Sequence, residues 1–218
     1  MKVSPIKLHK QAGKTALPPI PKKLIDDWQN VVDTELNVPG GTMLTRLEAV
    51  YGYLDRYAEF VSTFSVCSKG CSHCCSIDVS VSRLEAEYIM WKGGPAFDQR
   101  GKAQTTGHKD ACTFLSEDGS CSIYATRPFN CRTFFTLDDP KYCETPEVDH
   151  EVYGAASIGY GVSVYAGIAM WIGDWQKAHN MPYRDIRDWF PKSLPAAAPV
   201  APKRSLIDRL LGRGHSEG

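Results

Sequence analysis

The feature that most constrains this chain is a cluster of four cysteines within nine residues, in the segment V-C-S-K-G-C-S-H-C-C-S-I-D. Four more cysteines follow in the middle third of the chain. The eight are Cys67, Cys71, Cys74, Cys75, Cys112, Cys121, Cys131 and Cys143. Thiolates are soft ligands that suit zinc, copper(I) and iron–sulfur clusters. Buried, inert cysteines have no reason to alternate with Gly, Ser and Lys, so we predict that at least four of the eight bind metal.

The composition of the chain shows no strong charge bias. With 218 residues and 43% hydrophobic content, the chain suits one domain with tails. Its 25 basic and 25 acidic side chains cancel, so nothing in the net charge favours nucleic acid or a membrane. No secretory signal is visible near Met1, so we expect a cytoplasmic protein with reduced thiols. Four disulfides would be the alternative for an exported chain.

The chain divides into three parts by composition. Residues 1–20 are polar and proline-containing, and we expect an extended N-terminal arm. Residues 21–193 contain the periodic segments and all the cysteines, and should form the metal-binding domain. Residues 194–218 begin as a Pro/Ala linker and end in a flexible basic tail, which allows a protein partner to dock there.

Helical patterns dominate the first half of the domain. Apolar residues recur at helical spacing over 22–36, with Pro21 at the first turn and a break at Pro39-Gly40-Gly41. A second helix is predicted from about Thr45 to Phe64, with a capping box formed by Thr45 and Glu48. Ser82 and Glu85 have the same spacing and predict a helix that runs to about Trp91.

Strand signals are few and lie near the cysteines. Residues 77–81 alternate as a short strand would, and Asp118-Gly119 between two apolar arms predicts a hairpin that brings Cys112 and Cys121 together. Arg127-Pro128 should open a turn or short helix that carries Cys131. We therefore predict a mainly helical α+β fold, with a small cysteine-rich hairpin and loops organised around a metal centre.

Ala155–Gly173 contains 19 residues without a charge, which is long enough to cross a membrane. The flanks are acidic, and glycines and serines dilute its hydrophobicity, so we favour a buried central helix. One more short amphipathic helix is predicted within residues 182–190.

The whole cysteine pattern resembles the YkgJ-like cysteine-cluster family, whose members are proposed to be zinc- or iron-chelating domains. The elements that match are the opening cysteines ending in a vicinal pair, the C-x8-C hairpin and I-Y-x-x-R-P-x-x-C-R, between Cys67 and Arg132. A larger relative, flagellin lysine N-methylase, uses an iron–sulfur cluster, so the resemblance allows an enzyme. Cys143 falls outside this pattern.

The spacing Cys67-x3-Cys71-x2-Cys74 also occurs in radical S-adenosylmethionine enzymes. Those enzymes place the motif after the first strand of a large α/β barrel. Here helices precede it and few strand–helix repeats follow, so we disfavour that interpretation.

Several arrangements of the metal remain open. The eight thiolates could build two four-cysteine zinc sites, one four-iron cluster with four cysteines left over, or one zinc site beside a redox-active vicinal pair. We slightly prefer iron–sulfur over zinc. His73 could be a ligand, although it more simply points outward. Arg127 and Arg132 could donate hydrogen bonds to a cluster or to a carboxylate substrate, or form intrachain salt bridges.

We expect one centre to draw ligands from both halves of the pattern. Cys67, Cys71 and Cys74 offer three positions on a tight loop, and the segment with Cys112, Cys121 and Cys131 would complete the site. Vicinal cysteines rarely reach one ion without strain, so Cys75 should face a second site or none.

Two function classes fit the sequence. One is a metal-dependent protein whose cluster supports modification of a protein or small-molecule partner. The other is a non-catalytic binding or adaptor protein with structural four-cysteine zinc sites. The chain contains no phosphate-binding glycine loop, no serine-nucleophile elbow and no H-E-x-x-H motif. Catalysis by Cys74 or Cys75 beside His73 is disfavoured because adjacent side chains seldom face each other.

Overall fold

The structure is a computed structural model that describes residues 17–68, 70–100, 104–145, 148, 150–154 and 162–192. Most of the predicted N-terminal arm and all of the predicted linker and tail lie outside the described residues. The division of the chain into arm, domain and tail therefore stays a prediction.

Helices α1 (Lys22–Val31) and α2 (Met43–Val61) open the domain. A single π-helical turn, Val32–Leu36, extends α1, so the predicted helical stretch is confirmed. The predicted cap of α2 was wrong by one turn. Thr42 is the N-cap, and its hydroxyl accepts from the backbone N–H of Thr45, while the Thr45 hydroxyl oxygen accepts from the N–H of Thr42. The chain must turn at Gly40 and Gly41, both at positive φ, immediately before this cap.

The larger core lies around α2, which is buried on more than one face. Its aromatic side chains Tyr53 and Tyr57 pack with Tyr165 of α5 (Val162–Ala178) and with Tyr153, and the Tyr57 and Tyr153 hydroxyls lie 2.6 Å apart. Burial of each such ring stabilises the fold by roughly 1.5–3 kcal/mol. Two hydroxyls share a hydrogen bond here because neither reaches water.

Helix α5 confirms that the predicted apolar run is largely helical and partly buried. Val164, Tyr165, Ile168 and Ile172 are buried in the larger core, whereas Met170 is 67% exposed. Residues 155–161 of the predicted run lie outside the described residues. Among the described residues, none of the helices combines the length and apolar composition that a membrane crossing requires.

A smaller core lies next to the cysteines. Strand β1 (Ser80–Ser82) leads into α3 (Arg83–Trp91) and pairs antiparallel with β4 (Tyr183–Asp185), which leads into α6 (Ile186–Trp189). This core contains Val81, Ala86, Ile89, Phe97, Cys112, Phe114, Ile186, Trp189 and Phe190. The predicted strand thus begins later than expected, and the predicted final helix is half strand, because Val81 pairs with Arg184 across the sheet.

The remaining elements surround the second cysteine segment. Helix α4 (Phe129–Arg132) follows Pro128, and β2 (Phe134–Thr136) pairs antiparallel with β3 (Val152–Gly154). Three 3₁₀ turns, His73–Ser76, Tyr124–Thr126 and Pro140–Glu144, complete the described elements. The prediction of a mainly helical α+β fold is confirmed.

The two cores are joined by the buried carboxylate of Glu85. Its Oε2 accepts from the backbone N–H and the hydroxyl of Ser82, which confirms the capping box predicted for α3. Its Oε1 accepts from the Tyr51 hydroxyl at 2.9 Å and from the Phe129 N–H at 2.6 Å. One side chain therefore fastens α2, α3 and the start of α4.

We expect Glu85→Ala to lower the free energy of unfolding by about 3 kcal/mol or more. The substitution leaves the Tyr51 hydroxyl and the N–H groups of Ser82 and Phe129 without their hydrogen-bond acceptor. Urea denaturation followed by circular dichroism measures this change. Glu87→Ala is the matched control on the same helix, since its pair with Arg83 is partly exposed and should contribute less than about 1 kcal/mol. Equal effects of the two substitutions would contradict the assigned role of Glu85.

Candidate metal centre

The first cysteine loop is fastened to β2 by its backbone. The N–H of Val66 donates to the Thr136 carbonyl at 3.1 Å, and the N–H of Thr136 donates to the Cys67 sulfur at 3.3 Å. A backbone N–H directed at a sulfur stabilises the thiolate, the form that binds metal. The loop that follows α2 therefore delivers Cys67 to the edge of the β2–β3 pair.

The vicinal cysteines lie in the 3₁₀ turn His73–Ser76, which packs against the 3₁₀ turn Pro140–Glu144. This packing brings Cys143 to the first cysteine loop. All eight cysteines carry free thiols in the structure, so the alternative of four disulfides is not adopted.

One set of four thiols, here called the hairpin group, comprises Cys75, Cys112, Cys121 and Cys131. In every pair within this group, the charge of one thiolate would raise the pKa of the other thiol, so the four thiols are neighbours. The N–H of Cys112 donates to the Cys75 carbonyl at 2.8 Å, which joins the two cysteine segments directly. The predicted hairpin is present as a single bridge between Leu115 and Cys121, closed by a hydrogen bond from the Ser116 N–H to the Ser120 carbonyl.

The other thiols form what we call the loop group, Cys67, Cys71, Cys143 and Cys74. Cys143 interacts with both Cys67 and Cys71, and those two interact with each other. Cys74 interacts with Cys143 but also with Cys75 and Cys131, so it lies between the two groups.

This grouping differs from the single shared centre expected from the sequence. Cys75, which was expected to stand apart, is the residue of the first motif that joins all three later cysteines of the hairpin group. Cys74 and Cys75 share a hydrogen bond, but Cys74 also interacts with Cys143, whereas Cys75 interacts with Cys112 and Cys121. Cys143, which lies outside the pattern that suggested the family, adjoins Cys67 and Cys71.

Burial raises the pKa of most of these thiols, so that without metal they stay protonated at neutral pH. Desolvation raises the pKa of Cys67, Cys121 and Cys131. It also raises the pKa of Cys112 to about 11 and that of Cys143 to about 12. Such thiols become ligands only when a metal replaces their protons.

Cys75 is the exception. A hydrogen bond from Cys74, followed in size by the charges of Arg187 and Arg127, lowers the pKa of Cys75 to about 7 against the effect of burial. The same hydrogen bond raises the pKa of Cys74. Cys75 is therefore the thiol with the greatest thiolate character at neutral pH among those with a perturbed pKa.

The two arginines of the R-P-F-N-C-R segment have different roles. The charge of Arg127 acts to lower the pKa of four thiols, although burial outweighs it at three of them. These thiols are Cys67, Cys75, Cys121 and Cys131, so the Arg127 side chain lies near both groups. Its guanidinium stacks on the exposed Tyr124 ring at 3.6 Å. Half-buried between the thiols and the surface, Arg127 is the cation best placed to offset thiolate charge.

Arg132 instead supports the backbone. It is buried, donates to the carbonyls of Arg127 and Ala125, pairs with Asp55 and lies over the Tyr51 ring. The intrachain salt bridge that the sequence left open for Arg132 is thus present.

Sequence reasoning missed Arg187. Its guanidinium donates to the carbonyls of Cys75 at 3.1 Å, Ile77 at 3.2 Å and Asp110 at 2.8 Å, and to the Asp185 carboxylate. It thereby holds both cysteine segments from the far end of the chain. No spacing signal pointed to it, because the contact depends on β4 pairing with β1.

The histidines of the cysteine region pair with carboxylates. His73 Nδ1 lies 3.2 Å from Glu144 Oε2, and both side chains are about two-fifths exposed, so His73 faces the surface. His150 Nδ1 lies 3.2 Å from Asp138 Oδ1 in a more buried pair.

The cysteine domain also has a counterpart among known families. Residues 66–150 match the CxxCxxCC family, a domain proposed to chelate zinc or iron. This match confirms the family prediction over that segment, which contains all eight cysteines. The first spacing, Cys67-x3-Cys71, is one residue longer than the family name states. Comparison with curated proteins and with solved structures found no match.

The match and the geometry together give the coarse function. The segment is a cysteine-cluster domain of the zinc- or iron-chelating kind, with two adjacent groups of thiols as its candidate ligands.

In reduced, metal-free protein, we expect iodoacetamide to modify Cys75 before Cys112 or Cys143, because the pKa of Cys75 is lowered to about 7 while burial raises the other two to about 11 and 12. The rate at Cys75 should rise as the pH passes through about 7 and then level off. Peptide mass spectrometry after brief labelling measures both.

The matched control for this labelling is Cys75→Ser, which should lose the fast phase. Faster modification of Cys112 than of Cys75 in folded protein would contradict the assignment.

Proposed function

We propose that this chain is an iron–sulfur protein whose hairpin group, Cys75, Cys112, Cys121 and Cys131, holds a cluster that supports modification of a protein or small-molecule partner. The observation that carries the proposal is the assembly of four mutually interacting thiols from both halves of the motif. Four cysteines are the usual ligand set of a four-iron cluster.

The spacing of the thiols supports a cluster over a single ion. Zn–S bonds of about 2.3 Å in a tetrahedron require sulfur atoms about 3.8 Å apart. Among the described residues, which include every cysteine, no three sulfurs all lie within 4.8 Å of one another. A cluster places its irons at the corners of a cage, so its thiolates lie farther apart than those around one ion.

The charges around the hairpin group also suit a cluster. Thiolate ligands bring negative charge, and two guanidinium groups, Arg127 and Arg187, lower the pKa of Cys75 within the group. Arg187 further donates to the Cys75 carbonyl, which orients the backbone beside the ligand.

The loop group is where we place the contact with a partner. Cys67, Cys71 and Cys143 interact with one another, whereas Cys74 is divided between the two groups. Three protein ligands on a metal leave a position open for another molecule, and open positions are typical of reactive sites. When bound, an iron–sulfur cluster supplies electron transfer, and Arg127 supplies a cation between the groups for an anionic partner.

The second candidate is a binding or adaptor protein with structural zinc. The observation that favours it is that the hairpin group contains four thiols, since closed four-cysteine zinc sites are structural. In that case the metal fastens the hairpin to the first loop, and partner binding falls to other surfaces.

Anaerobic purification followed by metal and sulfide analysis tests the proposal. We expect brown protein with iron and acid-labile sulfide, because thiolates greatly outnumber other soft ligands in the domain. Colourless protein with stoichiometric zinc would support the second candidate. Metal-free protein that stays folded with reductant and chelator would reject both.

Single substitutions test the grouping. We expect Cys131→Ser and Cys71→Ser each to remove about half of the bound metal, since they lie in different groups, and the double variant to remove nearly all of it. Ser72→Ala, next to Cys71, is the matched control and should keep its metal. Complete loss in Cys131→Ser with full retention in Cys71→Ser would show one centre and contradict two groups.

A further inference from the structure

Four oxygen and nitrogen ligands gather beside the hairpin group, in a place that the thiol chemistry does not use. They are Asp78, three residues after Cys75, His108, four residues before Cys112, and Asp185 and Asp188 from β4 and α6. Ligand atoms of Asp78, His108 and Asp185 all lie within 4.8 Å of one another.

The separations approach those between ligands of one ion. His108 Nε2 lies 3.3 Å from Asp188 Oδ1 and 3.8 Å from Asp185 Oδ1. Two atoms bound at about 2.1 Å to a shared tetrahedral or octahedral ion lie about 3.0–3.4 Å apart. A small inward movement would therefore bring the three side chains to a common ion.

The nitrogen directed into this space has no hydrogen bond. His108 Nε2 is buried, and within the described part of the chain it makes no hydrogen bond, despite the nearby carboxylates. The His108 side chain is 12% exposed, Asp188 9% and Asp185 0%, so water is largely excluded. A buried, unpaired imidazole nitrogen costs free energy that a metal bond would offset.

The carboxylates are held from behind, as metal ligands usually are. Asp78 accepts from the N–H groups of Gly107 at 2.6 Å and His108 at 3.1 Å. Asp188 Oδ2 accepts from the Thr105 N–H at 2.6 Å, which leaves its Oδ1 beside His108. Such outer hydrogen bonds orient ligands before an ion arrives.

The net negative charge of these four side chains and Arg187 favours binding of a cation. Three carboxylates face one guanidinium, Arg187, which pairs with Asp185 at 3.0 Å. With His108 neutral, the cluster carries a formal charge of about −2 in a largely buried place, and a divalent ion offsets that charge.

We propose that Asp78, His108, Asp185 and Asp188 form a second metal site, for a divalent ion that prefers oxygen and nitrogen ligands, such as Mn²⁺ or Fe²⁺. This site is separate from both thiol groups. Arg187 connects it to the hairpin group, because the same guanidinium pairs with Asp185 and donates to the Cys75 carbonyl. The proposal stands whether the thiols hold zinc or a cluster.

Manganese binding to the full chain, purified with its thiol-bound metal in place, tests the site. Mn²⁺ is the probe because thiolates are poor ligands for it. We expect electron paramagnetic resonance to show one bound Mn²⁺ per chain, and His108→Gln and Asp188→Asn each to weaken binding by at least tenfold.

The matched control is His150→Gln. His150 forms a similarly buried pair with Asp138, but among the described residues it belongs to no group of three possible metal ligands, so this variant should bind Mn²⁺ as the unaltered chain does. Circular dichroism checks the folding of each variant. If His108→Gln fails to fold, the folded Asp188→Asn variant decides.

Three results would overturn the proposal. One is no bound Mn²⁺ on the unaltered chain at millimolar metal, and another is equal weakening by His150→Gln. The third is a set of His108 ring signals in nitrogen-15 NMR that Mn²⁺ leaves sharp and unshifted, because a bound paramagnetic ion would broaden the signals of its ligand.

Discussion

The structure depends on two buried charged side chains that hold backbone from distant segments. Glu85 accepts from the Phe129 N–H and so fixes the start of the helix that carries Cys131, while Arg187 donates to the carbonyls of Cys75 and Asp110. A buried charge must satisfy several partners at once, so each becomes a junction between elements. The thiols themselves lie in loops and short turns, and these junctions fix the positions of the thiols relative to one another.

This construction explains why the cysteines form two neighbouring groups. The 3₁₀ turn His73–Ser76 carries Cys74 and Cys75, and the turn Pro140–Glu144 packs against it. Cys74 therefore meets Cys143 as well as Cys75 and Cys131, whereas Cys75 meets the other cysteines of the hairpin group. Two adjacent groups bring much potential negative charge together, and Arg127 interacts with thiols of both. That shared cation would couple the electrostatics of any metals bound in the two groups.

Much of the fold was predictable because its signals are local. The cap formed by Ser82 and Glu85, the break after Leu36 and the turn at Asp118-Gly119 each depend on residues within a few positions of one another. The predicted cap of α2 failed because two threonines compete for it, and Thr42 rather than Thr45 follows the glycine turn. The final segment failed for another reason: Tyr183–Asp185 becomes a strand only because β1 is there to pair with it.

The sequence by itself determined the ligand type, the number of thiols and the mainly helical class, because these follow from residue identity and local spacing. Only the tertiary structure decided which thiols are neighbours, that Cys143 adjoins Cys67 and Cys71, and that Arg187 supports the first motif. It also brought His108 to Asp78 from one segment and to Asp185 and Asp188 from another. Those contacts join residues up to about a hundred positions apart, and such contacts arise from strand pairing and burial that no local pattern records.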